Sequence, residues 1–224
     1  MAVLLTSGLK TLAVNAVGDY GGAVVRYLRE SGTRIVAHVA ASRSESEIDG
    51  LPRFSTIRAA VEATGAEAAA IYTPPGGLKD SLLEAAAAGL KLAFGAAEFV
   101  PVHDVACAAA AARDAGMWIV GPNSLGMATP GQAILGAIPQ DFVRTGTVGM
   151  IRRSGTLTLN LCRLLTTRGI GQSTIVHIGG GAIFGPHPPH GAQPFLARPG
   201  PGHHLDGRRP RRPTLARRPG SRPG

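Results

Sequence analysis

Short apolar runs alternate with helical patterns along the first 122 residues. The runs consist of small aliphatic and β-branched residues, and the stretches between them carry apolar residues at three- and four-residue spacing. The pattern predicts strands at Thr11–Val14, Arg34–Ala40, Ala68–Thr73, Lys91–Gly95 and Met117–Val120, with helices around Gly22–Glu30, Ser55–Ala63, Leu78–Ala88 and Pro101–Ala115. Such alternation is typical of a doubly wound parallel sheet. We therefore predict an α/β fold whose first domain, residues 1–122, is Rossmann-like.

The pattern changes after residue 122. Residues 123–146 are predicted to be a loop-rich connection, as is the polar segment Ala41–Arg53 within the first domain. One further β-α-β unit follows over residues 147–185. A unit of about 40 residues buries too little apolar surface to be stable alone. We therefore expect an incomplete, flavodoxin-like second α/β domain.

Residues 186–224 have a different composition from the rest of the chain. They hold 10 of the 17 prolines and eight arginines against the single acid Asp206, so they carry +7 of the chain's +9, and the preceding residues are nearly neutral. Repeated proline predicts a disordered tail. A frameshift or similar gene-end error is our hypothesis for its origin, which sequencing of the locus tests. The alternative is an arginine-rich arm that binds nucleic acid or an acidic membrane. Against it, Phe195 is the one aromatic residue of the tail, so the tail has few side chains that could stack on bases.

The remaining composition indicates a cytoplasmic protein. Cys107 and Cys162 both fall within helical patterns, which favours buried thiols in a reducing compartment over a disulfide. No apolar run reaches the roughly 20 residues that span a membrane, and the first residues lack a secretory signal pattern. We expect no membrane association and no metal site.

The first strand-to-helix turn carries half of a phosphate-binding fingerprint. In a doubly wound sheet this turn brings backbone amides and a helix N-terminus to a phosphate, and the pattern Gly-x-Gly-x-x-Gly favours it. Gly18 and Gly21 supply the second half of that pattern, whereas Ala16 replaces the first glycine. The turn is a candidate phosphate site, and an ordinary tight turn is the alternative.

Arg43 follows the second strand, where NAD-binding proteins carry an acidic residue. A positive side chain there suits a phosphorylated ribose, either the 2′-phosphate of NADP or the 3′-phosphate of coenzyme A. NAD itself is disfavoured. A solvated loop arginine is the alternative.

Three more segments follow strands at the edge where such sheets bind ligands. They are Tyr72–Pro75, Glu98 and Arg152–Leu157. The last puts two hydroxyls and free amides at a helix N-terminus beside Arg153, which predicts an anion site. A strand end, a solvated carboxylate and an ordinary serine cap are the respective alternatives.

Together these segments resemble the α subunit of succinate–CoA ligase, the ADP- or GDP-forming succinyl-CoA synthetase. The resemblance covers roughly residues 5–185 in the same order. It rests on Gly50-Leu51-Pro52, Glu98 with Pro101, Gly121-Pro122-Asn123-Ser124, Thr129-Pro130-Gly131, Arg153-Ser154-Gly155-Thr156-Leu157-Thr158, Gly171-Gln172-Ser173-Thr174 and Ile178-Gly179-Gly180.

The resemblance implies a ligand, a partner and a reaction. The first domain would bind coenzyme A, and the second would form a phosphoryl-transfer site with a β subunit that carries the nucleotide grasp, in a tricarboxylic acid cycle enzyme. The implied coenzyme contacts are Val17, Gly18, Asp19, Tyr20, Arg43, Tyr72, Thr73, Pro74, Ala96, Ala97 and Glu98. The implied phosphate contacts are Arg153, Ser154, Gly155 and Thr156, and Leu159 stands at the substrate position.

Several positions depart from the family pattern. Seven residues differ from their family counterparts: Asn15 replaces a glycine, Val17 a threonine, Arg43 a lysine, Ser124 a cysteine, Arg152 a serine, Leu159 a tyrosine and Gly181 an aspartate. The family's phosphohistidine, in a Gly-His-Ala-Gly segment, has no counterpart in these 224 residues. The tail histidines, His187, His190, His203 and His204, lie in sequence with no fold to orient a nucleophile.

Two functions are therefore expected. The first is a coenzyme A-binding α subunit of an acyl-CoA ligase, truncated and inactive alone. The alternative is a non-catalytic module that senses coenzyme A or NADP.

Overall fold

The computed structural model describes residues 5–41, 47–48, 50–181 and 204–205, and only the backbone of 47–48 and 204–205. The first sheet contains β1 (Thr11–Val14), β2 (Ile35–Val39), β3 (Glu47–Ile48), β4 (Leu51–Phe54), β5 (Ala68–Ile71), β6 (Leu92–Gly95) and β7 (Trp118–Val120). Its helices are α1 (Gly18–Glu30), α2 (Ile57–Thr64), α3 (Pro75–Ala87) and α4 (Val102–Asp114). The second sheet contains β8 (Gly126–Thr129), β9 (Ala133–Gly136), β10 (Thr145–Arg152), β11 (Gln172–His177) and β12 (His204–Leu205), with helix α5 (Gly155–Thr167) and a 3-10 turn at Gln140–Phe142.

The first sheet confirms the predicted doubly wound topology. Its strand order is β3-β4-β2-β1-β5-β6-β7, and every pair is parallel except β3 with β4. The chain first builds outward from β1 to β4 and then returns to place β5 on the other side of β1. The direction of winding therefore reverses between β1 and β5, and ligands bind at such switch points in this class of fold.

The two faces of the first sheet are covered differently. Alternation along β1 sends Leu12 and Val14 to the face covered by α2, α3 and α4, and it sends Ala13 to the opposite face. That opposite face packs against α1 and against side chains of the second sheet, including Met127 and Leu135. The two sheets therefore share one hydrophobic core.

A β-hairpin occupies the segment that was expected to be a loop-rich connection. Strands β8 and β9 pair antiparallel with each other, and β8 also pairs antiparallel with β11, so the second sheet is mixed. Gly126 and Gly136 face each other in this hairpin, and a Cβ at either would lie within 2.3 Å of a carbonyl oxygen of the facing strand. The prediction of a lone β-α-β unit was wrong, because the hairpin, which precedes this unit in the chain, adds β8 and β9 to its sheet.

Other sequence predictions differ in smaller ways. Strand β4 lies within the predicted polar loop, where Pro52 is tolerated because β4 lies near the sheet edge. Helix α3 begins at Pro75 and not at Leu78, since proline suits a first helical position. Arg43 lies outside the described residues. So does the predicted disordered tail, apart from His204–Leu205, which form a strand beside β10 and are not disordered.

None of the helices in the described ranges is both long and apolar enough to cross a bilayer.

Candidate functional site

Helix α1 begins at the candidate phosphate turn. Gly18 is its first residue and has φ +68°, a conformation that glycine adopts without strain. A Cβ at Gly21 would lie 2.1 Å from the carbonyl carbon of Ala16, so helix and turn touch backbone to backbone. Gly21 is therefore the close-packing glycine of the fingerprint, and the turn tolerates alanine at position 16.

The first turn of α1 presents free amides to solvent. Val17 caps the helix without a side-chain hydrogen bond, and the side chains of Val17 and Tyr20 are 49% and 73% exposed. The N–H groups of a first helical turn have no partner within the helix, and together with the helix dipole they attract anions. Asp19 lies in the same turn, and its carboxylate would repel a phosphate bound there. Asp19 can therefore favour a phosphate only through its backbone.

Asn15 and Thr73 connect the ends of β1 and β5 at the switch point. The Asn15 side-chain amide donates to Thr73 Oγ1 at 2.7 Å, and Thr73 Oγ1 lies 2.9 Å from Ser81 Oγ on α3. Asn15 adopts φ +53°. The Thr73 hydroxyl is thus engaged in this network, which links the residue after β1 to the turn after β5 and to the middle of α3.

Tyr72 and Pro74 flank Thr73 in different environments. The Tyr72 ring packs edge-on against Phe94 with 6.0 Å between ring centroids, and burial raises the pKa of its phenol. Its hydroxyl is buried without a hydrogen-bond partner among the described residues. Pro74 is exposed and precedes the first residue of α3. Of the three predicted residues in this turn, Pro74 is exposed, Tyr72 is partly buried and Thr73 is buried.

Ala96, Ala97 and Glu98 continue from the end of β6. The Ala96 amide donates to Ile71 O at 3.1 Å, and Ala97 O accepts from the Asn123 amide at 2.8 Å. These bonds tie the segment to β5 and to the start of the second sheet. Glu98 is exposed, and Phe99 beside it has φ +56° with a side chain that is 91% exposed.

A cavity of about 560 Å³ brings Glu98 together with the predicted phosphate site. It is lined by Glu98, Asn123, Ser124, Leu125, Phe142, Arg153, Ser154, Gly155, Thr156, Leu159, Asn160, His177 and Gly180. All four predicted phosphate residues and Leu159 are among them. The residues of the α1 turn and of the Tyr72–Pro74 turn are not in this lining, so the predicted contacts fall into two groups, one at the switch point and one at the cavity.

Ser154 caps α5 at the wall of the cavity. Its hydroxyl accepts from the Leu157 amide at 3.4 Å, and its carbonyl oxygen accepts from the Thr158 amide at 3.0 Å. The amides of Gly155 and Thr156 precede these and belong to the free first turn. Arg153 Nη2 donates to the carbonyl oxygens of Gly180 and Gly181, at 3.4 and 3.0 Å. Arg153 thus fixes the glycine turn after β11 against the start of α5.

His177 is the site residue that sequence analysis missed. Its Nδ1 accepts from the Leu125 amide at 2.7 Å, so its Nε2 carries the proton and donates to Arg153 O at 2.8 Å. The ring is buried, and desolvation lowers its pKa. The sequence does offer one signal for this residue: a histidine that ends an apolar strand just before the Gly179–Gly181 turn. The neutral His177 ring thus links Leu125 to Arg153, which both line the cavity.

The family described as CoA binding domain matches residues 12–130, which include the α1 turn, the switch point and Glu98. This chain belongs to the CoA-binding domain family.

Within the described part of the chain, no three potential metal ligands lie together in a cluster.

Curated relatives of this CoA-binding domain protein extend the match through the second sheet. It is 35% identical to succinate–CoA ligase [ADP-forming] subunit alpha 2 of Archaeoglobus fulgidus over 83% of the chain and 64% of that protein. It is 35% identical to subunit alpha of Aquifex aeolicus over 83% of the chain and 61% of that protein. The chain is thus a homologue of the α subunits and spans about three fifths of their length.

A solved structure supports the same fold. An ATP citrate lyase from Methanothrix soehngenii, in complex with citrate and coenzyme A, matches with a TM-score of 0.73 and 23% identity over 86% of this chain and 35% of that one. The CoA-binding domain protein therefore shares its order of a parallel sheet followed by a second mixed sheet with a much larger enzyme.

Proposed function

We propose that this α-subunit-like chain binds coenzyme A and forms part of an NDP-forming acyl-CoA ligase. In that reaction a phosphoryl group passes between nucleotide and an acyl phosphate by way of a histidine, and coenzyme A then displaces the phosphate. The cavity supports the proposal, because its lining joins Glu98 of the CoA-binding domain to the residues at the N-terminus of α5 that are predicted to hold phosphate. A β subunit would supply the nucleotide, in a cytoplasmic enzyme of the tricarboxylic acid cycle.

The coenzyme would lie across the carboxyl edge of the first sheet. The amides of Gly18, Asp19 and Tyr20 would hold its pyrophosphate, and Arg43 its 3′-phosphate. Val17 and Pro74 offer exposed apolar surface on either side of the switch point. Ala96, Ala97 and Glu98 would line the path from the switch point toward the cavity, together with the backbone of Tyr72 and Thr73.

The domain limits follow from the same reasoning. We propose a coenzyme-binding domain over residues 1–122 and a ligase domain beginning after the 123–146 segment. Arg153, Ser154, Gly155 and Thr156 would hold phosphate at the start of α5. The phosphohistidine segment is not within these 224 residues, so we expect this polypeptide alone to bind but not to turn over.

Calorimetric titration of the chain with coenzyme A, dephospho-coenzyme A, NADP and NAD tests the ligand. We expect coenzyme A to bind about tenfold more tightly than dephospho-coenzyme A, the effect of one charge-assisted contact. Arg43→Ala should abolish that difference, whereas Arg58→Ala, an exposed arginine on α2, should leave it unchanged. Equal binding of the two coenzymes would remove the role of Arg43.

A module that binds NADP is the second candidate. The half-fingerprint at Gly18 and Gly21 favours it, because this turn geometry suits any pyrophosphate. Tight NADP binding without coenzyme A binding in the same titration would support this second candidate.

Formation of succinyl-CoA from succinate, coenzyme A and ATP by the purified chain would contradict the expectation that the chain does not turn over alone.

A further inference from the structure

His177 holds two parts of the cavity lining with the two nitrogens of its ring. Its Nδ1 accepts from the Leu125 amide at 2.7 Å, and its Nε2 donates to the Arg153 carbonyl oxygen at 2.8 Å. The residue is buried, at 4% exposure. A neutral imidazole has one donor and one acceptor, and these two bonds use both. The ring therefore has no nitrogen left with which to bind a ligand.

The His177 ring presents carbon, and not nitrogen, to the start of α5. A Cβ at Gly155 would lie 3.6 Å from Cε1 of His177. Cε1 lies between the two ring nitrogens and carries no lone pair. His177 therefore cannot act as a phosphorylated nucleophile while it makes both bonds. Its effect on the cavity has to pass through the groups that it holds.

Arg153 is the residue through which His177 reaches the predicted phosphate site. The Arg153 carbonyl belongs to the peptide unit that leads into Ser154, the cap of α5. A peptide unit is planar, so a bond that holds this oxygen also fixes the direction in which the chain enters the helix. The amides of Gly155 and Thr156, which are predicted to hold phosphate, follow directly.

The other nitrogen of the ring binds a segment that is anchored to the first domain. Leu125 follows Asn123, whose amide donates to Ala97 O at 2.8 Å. Ser124, between them, donates through its hydroxyl to the His177 carbonyl oxygen. The ring is thus held from one side, and its donor acts on α5 from the other.

We propose that His177 is a positioning residue for phosphate, because its bond to Arg153 O holds the first turn of α5 in the orientation that binds an anion. The inference rests on the proposed function, since it takes this turn as the phosphate site. Without that bond the entrance to α5 can rotate, and the Gly155 and Thr156 amides no longer point at one anion together. Without the bond to Leu125, the entrance to α5 keeps its support.

Two substitutions of His177 separate its two bonds. The side-chain nitrogen of glutamine can take the place of Nε2, so His177→Gln retains a donor for Arg153 O. The side-chain oxygen of asparagine can take the place of Nδ1, so His177→Asn retains only an acceptor for the Leu125 amide. Each variant loses one buried hydrogen bond, and we expect similar losses of stability in urea unfolding.

Titration of the full chain with inorganic phosphate, followed through the ¹H–¹⁵N signals of Gly155 and Thr156, measures the effect. His177→Asn should weaken phosphate binding at these amides about tenfold, the effect of misplacing one charge-assisted hydrogen bond, whereas His177→Gln should stay within about twofold of wild type. The signals of residues 18–20 at the α1 turn are the internal control, and they should respond equally in all three proteins.

Gln172→Leu is the matched control for a general loss of stability. Gln172 lies on the same strand, β11, and its side-chain amide donates to Cys162 O at 3.3 Å and to Thr166 Oγ1 at 3.2 Å, in the second half of α5. This change should destabilise the chain but leave the phosphate affinity at the first turn of α5 unchanged. The comparison of the two His177 variants stands without this control.

Reciprocal linkage provides a measurement on the wild-type chain. If the bond from His177 to Arg153 supports phosphate binding, bound phosphate must strengthen that bond equally. Saturation with phosphate should therefore slow solvent exchange of the His177 Nε2 proton. An unchanged exchange rate would overturn the positioning role, even where His177→Asn does not fold.

Equal phosphate affinities of His177→Gln and His177→Asn would also overturn the positioning role, as would an equal loss in Gln172→Leu. So would wild-type Gly155 and Thr156 signals that do not respond to phosphate. A coenzyme A titration distinguishes this failure from that of the proposed function. A chain that binds coenzyme A without these phosphate effects loses only the inference, whereas a chain that binds no coenzyme A loses the proposed function.

Discussion

Thr33 and Ile134 connect the two sheets through a single hydroxyl. Thr33 Oγ1 donates to the Ile134 carbonyl oxygen and accepts from the Ile134 amide at 3.2 Å. Thr33 follows α1 and is buried, and Ile134 lies on the edge strand β9. The unpaired edge of the hairpin is thereby closed by a side chain of the first domain.

Replacing Thr33 by valine should destabilise the protein by about 1–3 kcal/mol, since it leaves two buried backbone groups of Ile134 without a partner. Urea unfolding measures the change. Thr33→Ser keeps the hydroxyl and should therefore retain most of the wild-type unfolding free energy. Thr167→Val, which removes an exposed hydroxyl at the end of α5, is the control and should stay within about 0.5 kcal/mol of wild type.

Gly21→Ala should cost about 2 kcal/mol or more in unfolding free energy and abolish anion binding at the α1 turn. The added methyl would overlap the Ala16 carbonyl, so α1 would have to move away from β1. Gly76→Ala is the matched control, because it also lies in a first helical turn and its Cβ would meet nothing within 4 Å. Equal effects of both changes would contradict the close packing of α1.

His177 should make stability depend on pH. Its pKa in the folded protein is lowered by desolvation, so the unfolded chain binds the proton more readily. Its contribution is therefore complete above the ordinary pKa of 6.5 and is lost as the pH falls toward the lowered value. The difference in unfolding free energy between wild type and His177→Gln should shrink across that range. A proton that resides on Nδ1 of His177 in long-range ¹H–¹⁵N spectra at neutral pH would contradict the hydrogen-bond assignment.

Asp19→Asn should raise coenzyme A affinity a fewfold while lowering unfolding free energy by about 0.3–1 kcal/mol. An acid in a first turn stabilises its helix through the dipole, but it repels a phosphate that occupies the same position. Glu30→Gln at the opposite end of α1 should not change coenzyme A affinity. Weaker binding by Asp19→Asn would mean that this carboxylate contacts the ligand favourably.

Cys162 should resist alkylation in the folded protein. Burial raises the pKa of its thiol to about 11, whereas Cys107 on α4 is only partly buried. Iodoacetamide at pH 8, followed by mass spectrometry, should therefore label Cys107 and spare Cys162 until denaturant is added. Equal labelling of both would indicate that α5 does not pack stably on the second sheet.

Much of the first sheet follows from the sequence because its signals are local. β1 was predicted with its observed bounds, since a short apolar run before a glycine turn admits few alternatives. The hairpin of β8 and β9 was missed for the opposite reason. Its strands contain or adjoin glycines, and they are stabilised by distant parts of the chain: β8 pairs with β11, and Met127 and Leu135 pack against the first sheet.

The geometry of the candidate site could be predicted in part. The sequence predicts that Arg153 to Thr156 stand at the start of a helix, because the signal lies in consecutive residues, and α5 begins there with Ser154 as its cap. Their role as an anion site stays a prediction. His177 could not be predicted, since its role depends on Leu125, which is 52 positions away and comes close only in the fold. The hydrogen bond between Asn15 and the Thr73 hydroxyl could not be predicted either, because the two residues are 58 positions apart in the sequence.

The shared core also determines where this protein can be divided. Cutting the chain after β7 would uncover the small side chains of Ala13, Ala68 and Ala70, which one helix is too narrow to cover. The first sheet is thus not an independently stable unit, because it needs the hairpin of the second sheet to cover this face. Heat or denaturant should therefore melt both sheets in one cooperative transition.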